Sequence, residues 1–474
     1  MPVASLPNRF GSGDFGPDAY RFADDIAEAG FSIWQLLPMN PLGYGNSPYQ
    51  PFSSYAMDEI YISLDQLEKE GLIAHAPDHM KNAPTIQYQD IRVFREKWLR
   101  EAFHNFKPDR KYRAFVAKND WLESYAVFMA FKRKNDLRCW VEWPAKMRDY
   151  PELKSLDLTP YEEDINYQRF LQYKLYEQWT ALKKYVNKKG IEIMGDLPFY
   201  VGLDSADCWN GRPNFLLTKK GKPRFIAGVP PDYFSETGQR WGNPIYDWEY
   251  MKQDQFGFWT ERIGYSRNLF DIIRLDHFRA FDTYWKIPAS CPTAVVGKWV
   301  EAPGNEVFEH LLKTFPKIHI IAEDLGDLRP EVLELRDRFN FAGMHVMVFE
   351  FQPDQENTMN AHSLLYSGTH DNETVKSWYK HKSKEEQRAV RNWLTKHGFK
   401  GINPIDRMLK YALSTDSEMV IIPMADWLFI DERGTINHPG TVGSPNWEWR
   451  LNSFRPFEQR IPAIKEDIRT SGRH

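Results

Sequence analysis

The chain has 474 residues, with 61 Lys and Arg against 65 Asp and Glu, giving a formal net charge of −4. That balance argues against a nucleic-acid partner or a polybasic membrane contact, and 42% hydrophobic with 27% charged residues is the make-up of a globular protein. Cys139, Cys208 and Cys291 are too few and too scattered for a disulfide framework or a Cys-rich metal site, and residues 1–7 lack the basic start and apolar run of a signal peptide. A cytoplasmic location is therefore expected.

In chain order, residues 3–6 read as the tail of a first strand. Residues 17–29 have Pro17 at the start, an apolar stripe of Phe22, Ala23, Ile26 and Ala27, and Gly30 as a stop, which predicts a capped amphipathic helix. Phe31-Ser32-Ile33-Trp34-Gln35-Leu36-Leu37-Pro38 is the first clear strand run. Residues 48–184 then form a long stretch with helical segments at 93–106 and 121–134, read as an insertion between the second and third strands. A further helix is predicted over 167–187. Apolar runs follow at 191–196, 272–276, 318–323, 343–349, 363–371 and 419–423. Continuous apolar runs of this length mark buried parallel strands, and their alternation with helices predicts an α/β fold. Seven such runs, with residues 3–6 as an eighth strand, would close a (β/α)8 barrel, a TIM barrel, over 1–474 as one domain. The count alone also fits an open doubly wound sheet. The run beginning at Met419 is broken by Pro423 and Asp426 and is too short to span a membrane.

Four carboxylates, Asp196, Asp276, Glu323 and Asp371, fall at the ends of four of these strands. In a barrel that rim is where active sites form. One carboxylate after a strand is ordinarily a helix cap or an ion-pair partner; four of them, in contexts such as Arg-Leu-Asp-His-Phe-Arg and Thr-His-Asp-Asn-Glu-Thr, favour chemistry. Arg274 and Asp276 are two residues apart and so share a face of an extended strand, where the guanidinium would keep the carboxylate ionised. Glu323 follows Ile320-Ile321-Ala322, an apolar approach that would raise its pKa. No metal or nucleotide motif is present, and no metal or cofactor is expected; Gly11-Ser12-Gly13-Asp14-Phe15-Gly16 reads as a turn.

The segments Gly195-Asp196-Leu197-Pro198-Phe199-Tyr200-Val201, Arg274-Leu275-Asp276-His277-Phe278-Arg279, Ala322-Glu323-Asp324-Leu325-Gly326 and Gly368-Thr369-His370-Asp371-Asn372-Glu373-Thr374 resemble glycoside hydrolase family 77, the amylomaltases and plant disproportionating enzymes. The stretch from Ala227 through Pro230-Pro231-Asp232-Tyr233-Phe234 to Trp241-Gly242-Asn243-Pro244 is the most specific part of the resemblance. It implies 4-α-glucanotransfer, from an α-1,4-glucan donor to glucose or a maltooligosaccharide, by a retaining double displacement. Asp276 is then the nucleophile, Glu323 the general acid/base, and Asp371 the carboxylate that binds sugar hydroxyls at the cleavage point. Arg274 orients the nucleophile, and His370 and Asp196 hold the same glucose. Residues 228–243 cover the substrate, with Tyr233 and Trp241 against the glucan. Tyr49, in Ser47-Pro48-Tyr49, and Asn437 match further substrate-side positions.

A hydrolase of the same clan, an α-glucosidase or α-amylase, is the alternative activity, and the segment 228–243 argues against it. A non-catalytic glucan-binding relative would lack one of the three carboxylates, all of which are present. Family members carry a longer lead before Ser5-Leu6-Pro7 that completes the first barrel strand, so a longer and more stable natural form is expected.

Overall fold

The computed structural model describes residues 1–231 and 235–473. Strands Ile33–Gln35 (β1) and Glu192–Leu197 (β2) pair in parallel. The chain then leaves for a hairpin, Phe225–Val229 (β3) and Gln239–Pro244 (β4), and returns as Ile272–Leu275 (β5) beside β2. It leaves again for Thr283–Pro288 (β6) and Lys298–Glu301 (β7), which extend the hairpin into an antiparallel sheet of order β4-β3-β6-β7. His319–Ala322 (β8) comes back beside β5. Gly343–Val346 (β9), Ser363–Tyr366 (β10) and Met419–Ile421 (β11) form a second parallel set. A parallel bridge between Ile321 and Ala342 joins the two sets. The seven parallel strands thus follow one another in chain order around one wall, as in a (β/α)8 barrel.

All seven apolar runs contain strands, six of them shorter than the run, while β2 keeps the full length shifted by one residue. After Val346 the chain turns directly into a helical turn, Met347–Glu350, so the predicted strand over 343–349 ends early. Residues 3–6 depart from expectation: Val3–Ser5 is a 3-10 turn, closed by Leu6 N–H donating to the Val3 carbonyl and flanked by Pro2 and Pro7. No ladder forms there, because the Ala4 carbonyl accepts from Gly13 N–H, across the glycine-rich turn rather than from a strand. The helix Pro17–Ala29 has the predicted bounds, and Gly30 ends it at φ 91°, a left-handed cap that only glycine adopts without strain.

Residues 48–184 are largely helical. The helix predicted over 167–187 runs Glu162–Lys188, and its buried stripe Leu171, Leu175, Trp179, Leu182 and Val186 has helical spacing. This stripe packs beside β2, and the Trp179 indole N–H donates to the Leu269 carbonyl at 3.2 Å. Tyr88–Asn105 and Asp120–Lys134 are the other long helices of the stretch. Among the described residues, no helix is long and apolar enough to cross a membrane.

β2 is held close to the segment before β5. A Cβ on Gly195 would lie 2.2 Å from the Phe270 ring, so only glycine fits at the position before Asp196. Gly195→Ala is expected to cost about 1–3 kcal/mol by overpacking. Adding Phe270→Leu should recover at least about 0.5 kcal/mol as a coupling energy in a double-mutant cycle. Urea denaturation of the four proteins measures this; strict additivity would contradict the contact.

Candidate active site

Register alone gathers the site. Asp196 stands opposite Arg274 across β2 and β5, and Leu275 stands opposite Ala322 across β5 and β8. Asp276 and Glu323 are the next residues on those two strands, and neighbouring strands run about 4.8 Å apart. Backbone bonds extend the pairing past the strand ends: Glu323 N–H donates to the Leu275 carbonyl and Phe278 N–H to the Glu323 carbonyl, both at 3.0 Å.

Arg274 is the hub. Its Nη1 lies 2.8 Å from both carboxylate oxygens of Asp196 and 3.0 Å from Asp276 Oδ1. The Arg274 side chain is 5% exposed and that of Asp196 is 0% exposed. Tyr49 completes the set by donating its hydroxyl to Asp196 Oδ2 at 2.7 Å. Asp196, expected against the glucose, therefore spends its oxygens on Arg274 and Tyr49 behind the cleft. The predicted face shared by Arg274 and Asp276 is present.

Electrostatics divides the two central carboxyls. Burial pushes Asp276 up to about 6, against the pull of Arg274. The guanidinium expected to keep Asp276 ionised is shared with Asp196, whose charge pushes the other way. Burial raises Glu323 further, to about 8, and the Asp276 charge adds to it; Arg274 and two backbone N–H groups oppose. Those donors are His277 N to Oε2 at 2.7 Å and Leu325 N to Oε1 at 3.1 Å. At neutral pH the proton therefore sits on Glu323 and the charge on Asp276. His277 takes the left-handed conformation, φ 51°, a strained backbone that aims its N–H at Glu323. Burial lowers its imidazole to about 4, so the ring is neutral.

Asp371 and His370 lie beyond β10. Burial would raise Asp371, but the His370 charge and hydrogen bonds from His370 and Asn437 prevail and hold it at about 2. Asn437 Nδ2 donates to Asp371 Oδ1 at 2.6 Å, and His370 Nε2 lies 3.3 Å from Oδ2. The Asp371 side chain is 46% exposed, an ionised carboxylate open to the cleft. The Tyr49 ring stacks on His370, with centroids 5.2 Å apart.

Trp241 lies on β4, half-buried, edge-on to His277 at 4.9 Å. Residues 228–243 thus begin and end as paired strands; Tyr233 lies outside the described residues. Trp447 was not foreseen: its ring approaches both Tyr49 and His370 at 5.8 Å. The only sequence signal was the aromatic density of Asn446-Trp447-Glu448-Trp449. Among the described residues, no group of three or more His, Cys, Asp or Glu side chains is placed to hold a metal ion.

The profile of glycoside hydrolase family 77, described as 4-alpha-glucanotransferase, matches residues 1–455. A 4-alpha-glucanotransferase of Streptococcus pneumoniae is 38% identical over 99% of this chain and 94% of its own length. One from Thermus thermophilus is 38% identical over 94% and 93%. The solved amylomaltase of Streptococcus agalactiae, in complex with acarbose, superposes with a TM-score of 0.93 at 32% identity, covering 100% of this chain and 98% of that one. The amylomaltase of Corynebacterium glutamicum shares the fold at 17% identity with a TM-score of 0.78. The chain belongs to glycoside hydrolase family 77, the 4-α-glucanotransferases.

Proposed function

We propose that this enzyme moves a segment of an α-1,4-glucan to the 4-hydroxyl of glucose or a maltooligosaccharide through a covalent glycosyl-enzyme on Asp276. One observation carries the assignment of roles: two adjacent carboxyls at the ends of β5 and β8 have pKa values pushed apart to about 6 and about 8. Ionised Asp276 attacks the anomeric carbon as Glu323 gives its proton to the departing glycosidic oxygen. Glu323, now a base, takes the proton of the acceptor hydroxyl, which displaces Asp276 with net retention. Arg274 steadies the Asp276 carboxylate. Asp371, held ionised by His370 and Asn437, binds hydroxyls of the same sugar and adds negative charge where the ring becomes cationic. Hydrolysis differs only in using water as acceptor. Segment 228–243, placing Trp241 beside His277, supports transfer by covering the reacting sugar.

With maltotriose alone, the expected products are free glucose and a ladder of longer maltodextrins, with total reducing ends nearly constant. Steadily rising reducing ends without longer products would identify a hydrolase instead. Asp276→Asn should abolish transfer, and Glu323→Gln should slow it about 10²–10⁴-fold. Glu323→Gln should change the melting midpoint little, because the amide oxygen still accepts from a backbone N–H, whereas Asp276→Asn takes one of its two anions from Arg274 and should lower it.

The pH profile of kcat/KM should be a bell with limbs near 6 and 8. Below about 6 Asp276 gains a proton and loses nucleophilicity; above about 8 Glu323 loses the proton it must donate. Arg274→Met removes the charge that lowers both groups, so both limbs should move to higher pH. Limbs that stay fixed in Arg274→Met would remove Arg274 from the electrostatic account.

A further inference from the structure

Asp426, the charge that interrupts the apolar run after Met419, lies on the helical turn Met424–Trp427 that follows β11 and is 1% exposed. Burial pushes its carboxyl up to about 6, opposed by two hydrogen bonds; among the described residues no Lys, Arg or His pairs with it. Burying a carboxylate without a counter-charge is costly, so packing gives it no reason to be there. The two bonds do. Oδ2 accepts from the Ser367 hydroxyl at 2.7 Å, and Oδ1 accepts from the Val375 N–H at 2.8 Å. Ser367 is the residue after β10, and Val375 opens the helix Val375–His381. Between them runs the loop that carries His370 and Asp371. One buried carboxylate therefore joins the two ends of that loop.

The interior of the loop is bonded to itself. Thr369 donates both its N–H and its hydroxyl to Asn372 Oδ1, each at 2.9 Å, and Asp371 N–H donates to Thr369 Oγ1 at 3.2 Å. A turn closed in this way moves as a block, so its aim is set where its ends are tied. Its tip rests on Tyr49, Trp447 and Asn437. The turn that carries Asp426 also guides Asn437. A Cβ on Gly434 would lie 2.7 Å from Ala425 Cβ and 3.2 Å from Thr374 Cγ2, so the chain leading to Asn437 passes tightly beside the same turn.

We propose that Asp426 is a positioning residue for the sugar-holding pair: by tying Ser367 to Val375 it fixes the direction in which Asp371 and His370 face the cleft. The inference rests on the role proposed above for Asp371. Asp426 acts from behind the loop and touches no sugar. Without it, Asp371 keeps its charge, because His370 and Asn437 still flank it, but the carboxylate no longer holds one orientation toward the ring.

The test pairs kinetics with binding. Asp426→Ala should lower kcat/KM for maltotriose about 10²-fold, the scale of a small misplacement at a reacting centre. Asp426→Asn keeps an acceptor for the Val375 N–H and a polar partner for Ser367, and should recover most of the loss. Binding of maltotetraose is measured by calorimetry in an Asp276→Asn background, which lacks the nucleophile. There Asp426→Ala should raise Kd about tenfold, with the number of sites per chain unchanged. A residue that served only folding would lower the number of sites and leave Kd where it was. Ser367→Ala removes one tie and is the milder change, to be used if Asp426→Ala does not fold; it should raise Kd in the same direction. Adding Asp426→Ala to Asp371→Asn should raise Kd no further than Asp371→Asn alone, since both act through one carboxylate. Full additivity of the two would overturn the proposal. So would an unchanged Kd in Asp426→Ala and Ser367→Ala while Asp371→Asn binds weakly. An unchanged Kd in Asp371→Asn itself would overturn the role of Asp371, and this inference with it.

Discussion

The site depends on one buried cation placed between two carboxylates. Arg274 is nearly inaccessible, and a guanidinium cannot shed its charge, so its surroundings must supply anions. Asp196, on the neighbouring strand and fully buried, is the permanent partner; Asp276, on its own strand, is the shared one. Breaking such a pair from one side leaves a buried charge uncompensated, at a cost of about 3–5 kcal/mol. That cost keeps β2 and β5 in register at their upper ends, and with them the geometry of the cleft. Tyr49, at the start of the largely helical stretch 48–184, donates to Asp196, so the entrance of the site is tied to its floor.

The sharing also sets the chemistry. Had Arg274 served Asp276 alone, that carboxylate would be strongly stabilised in its ionised form. Because Asp196 takes two of its contacts, Asp276 remains ionised only modestly below neutrality. The negative charge left on Asp276 in turn helps Glu323 keep its proton. The protonation of the two carboxyls is therefore set by a single network rather than by two separate environments. On the opposite wall, His370 and Asn437 hold Asp371 ionised, which gives the cleft a surplus of negative charge, the complement that the proposed reaction needs.

Much of the fold was legible because strands covered on both faces must be apolar throughout. Each of the seven runs, from Ile33 to Ile421, contains a strand; Asp276, Glu323 and Asp371 follow one, and Asp196 lies within β2. The pairing of Arg274 with Asp276 was legible because it is local. The partners of Asp196 were not: Arg274 is 78 residues away and Tyr49 147 residues away, and nothing in either neighbourhood encodes the meeting. Trp447 was hidden for the same reason. Residues 3–6 misled because Val-Ala-Ser-Leu has a strand-like composition, while Pro2 and Pro7 leave it no ladder to join.

The two ends of the site differ in how firmly they are built. On the β5–β8 side, His277 and Glu323 are fixed by continuous strand pairing and by backbone N–H donors. On the β10–β11 side, His370 and Asp371 sit on a loop whose support is aromatic packing with Tyr49 and Trp447 and the backbone bond from Asn437 N–H to the His370 carbonyl. A cavity lined by residues 30–37 and 418–424 reaches that loop from below, touching Arg274 as well as Thr369 and His370. Side chains beside unfilled space have fewer contacts to hold a single rotamer. Glu323 and His277 are thus held by continuous strand pairing, and His370 and Asp371 by a loop beside that cavity.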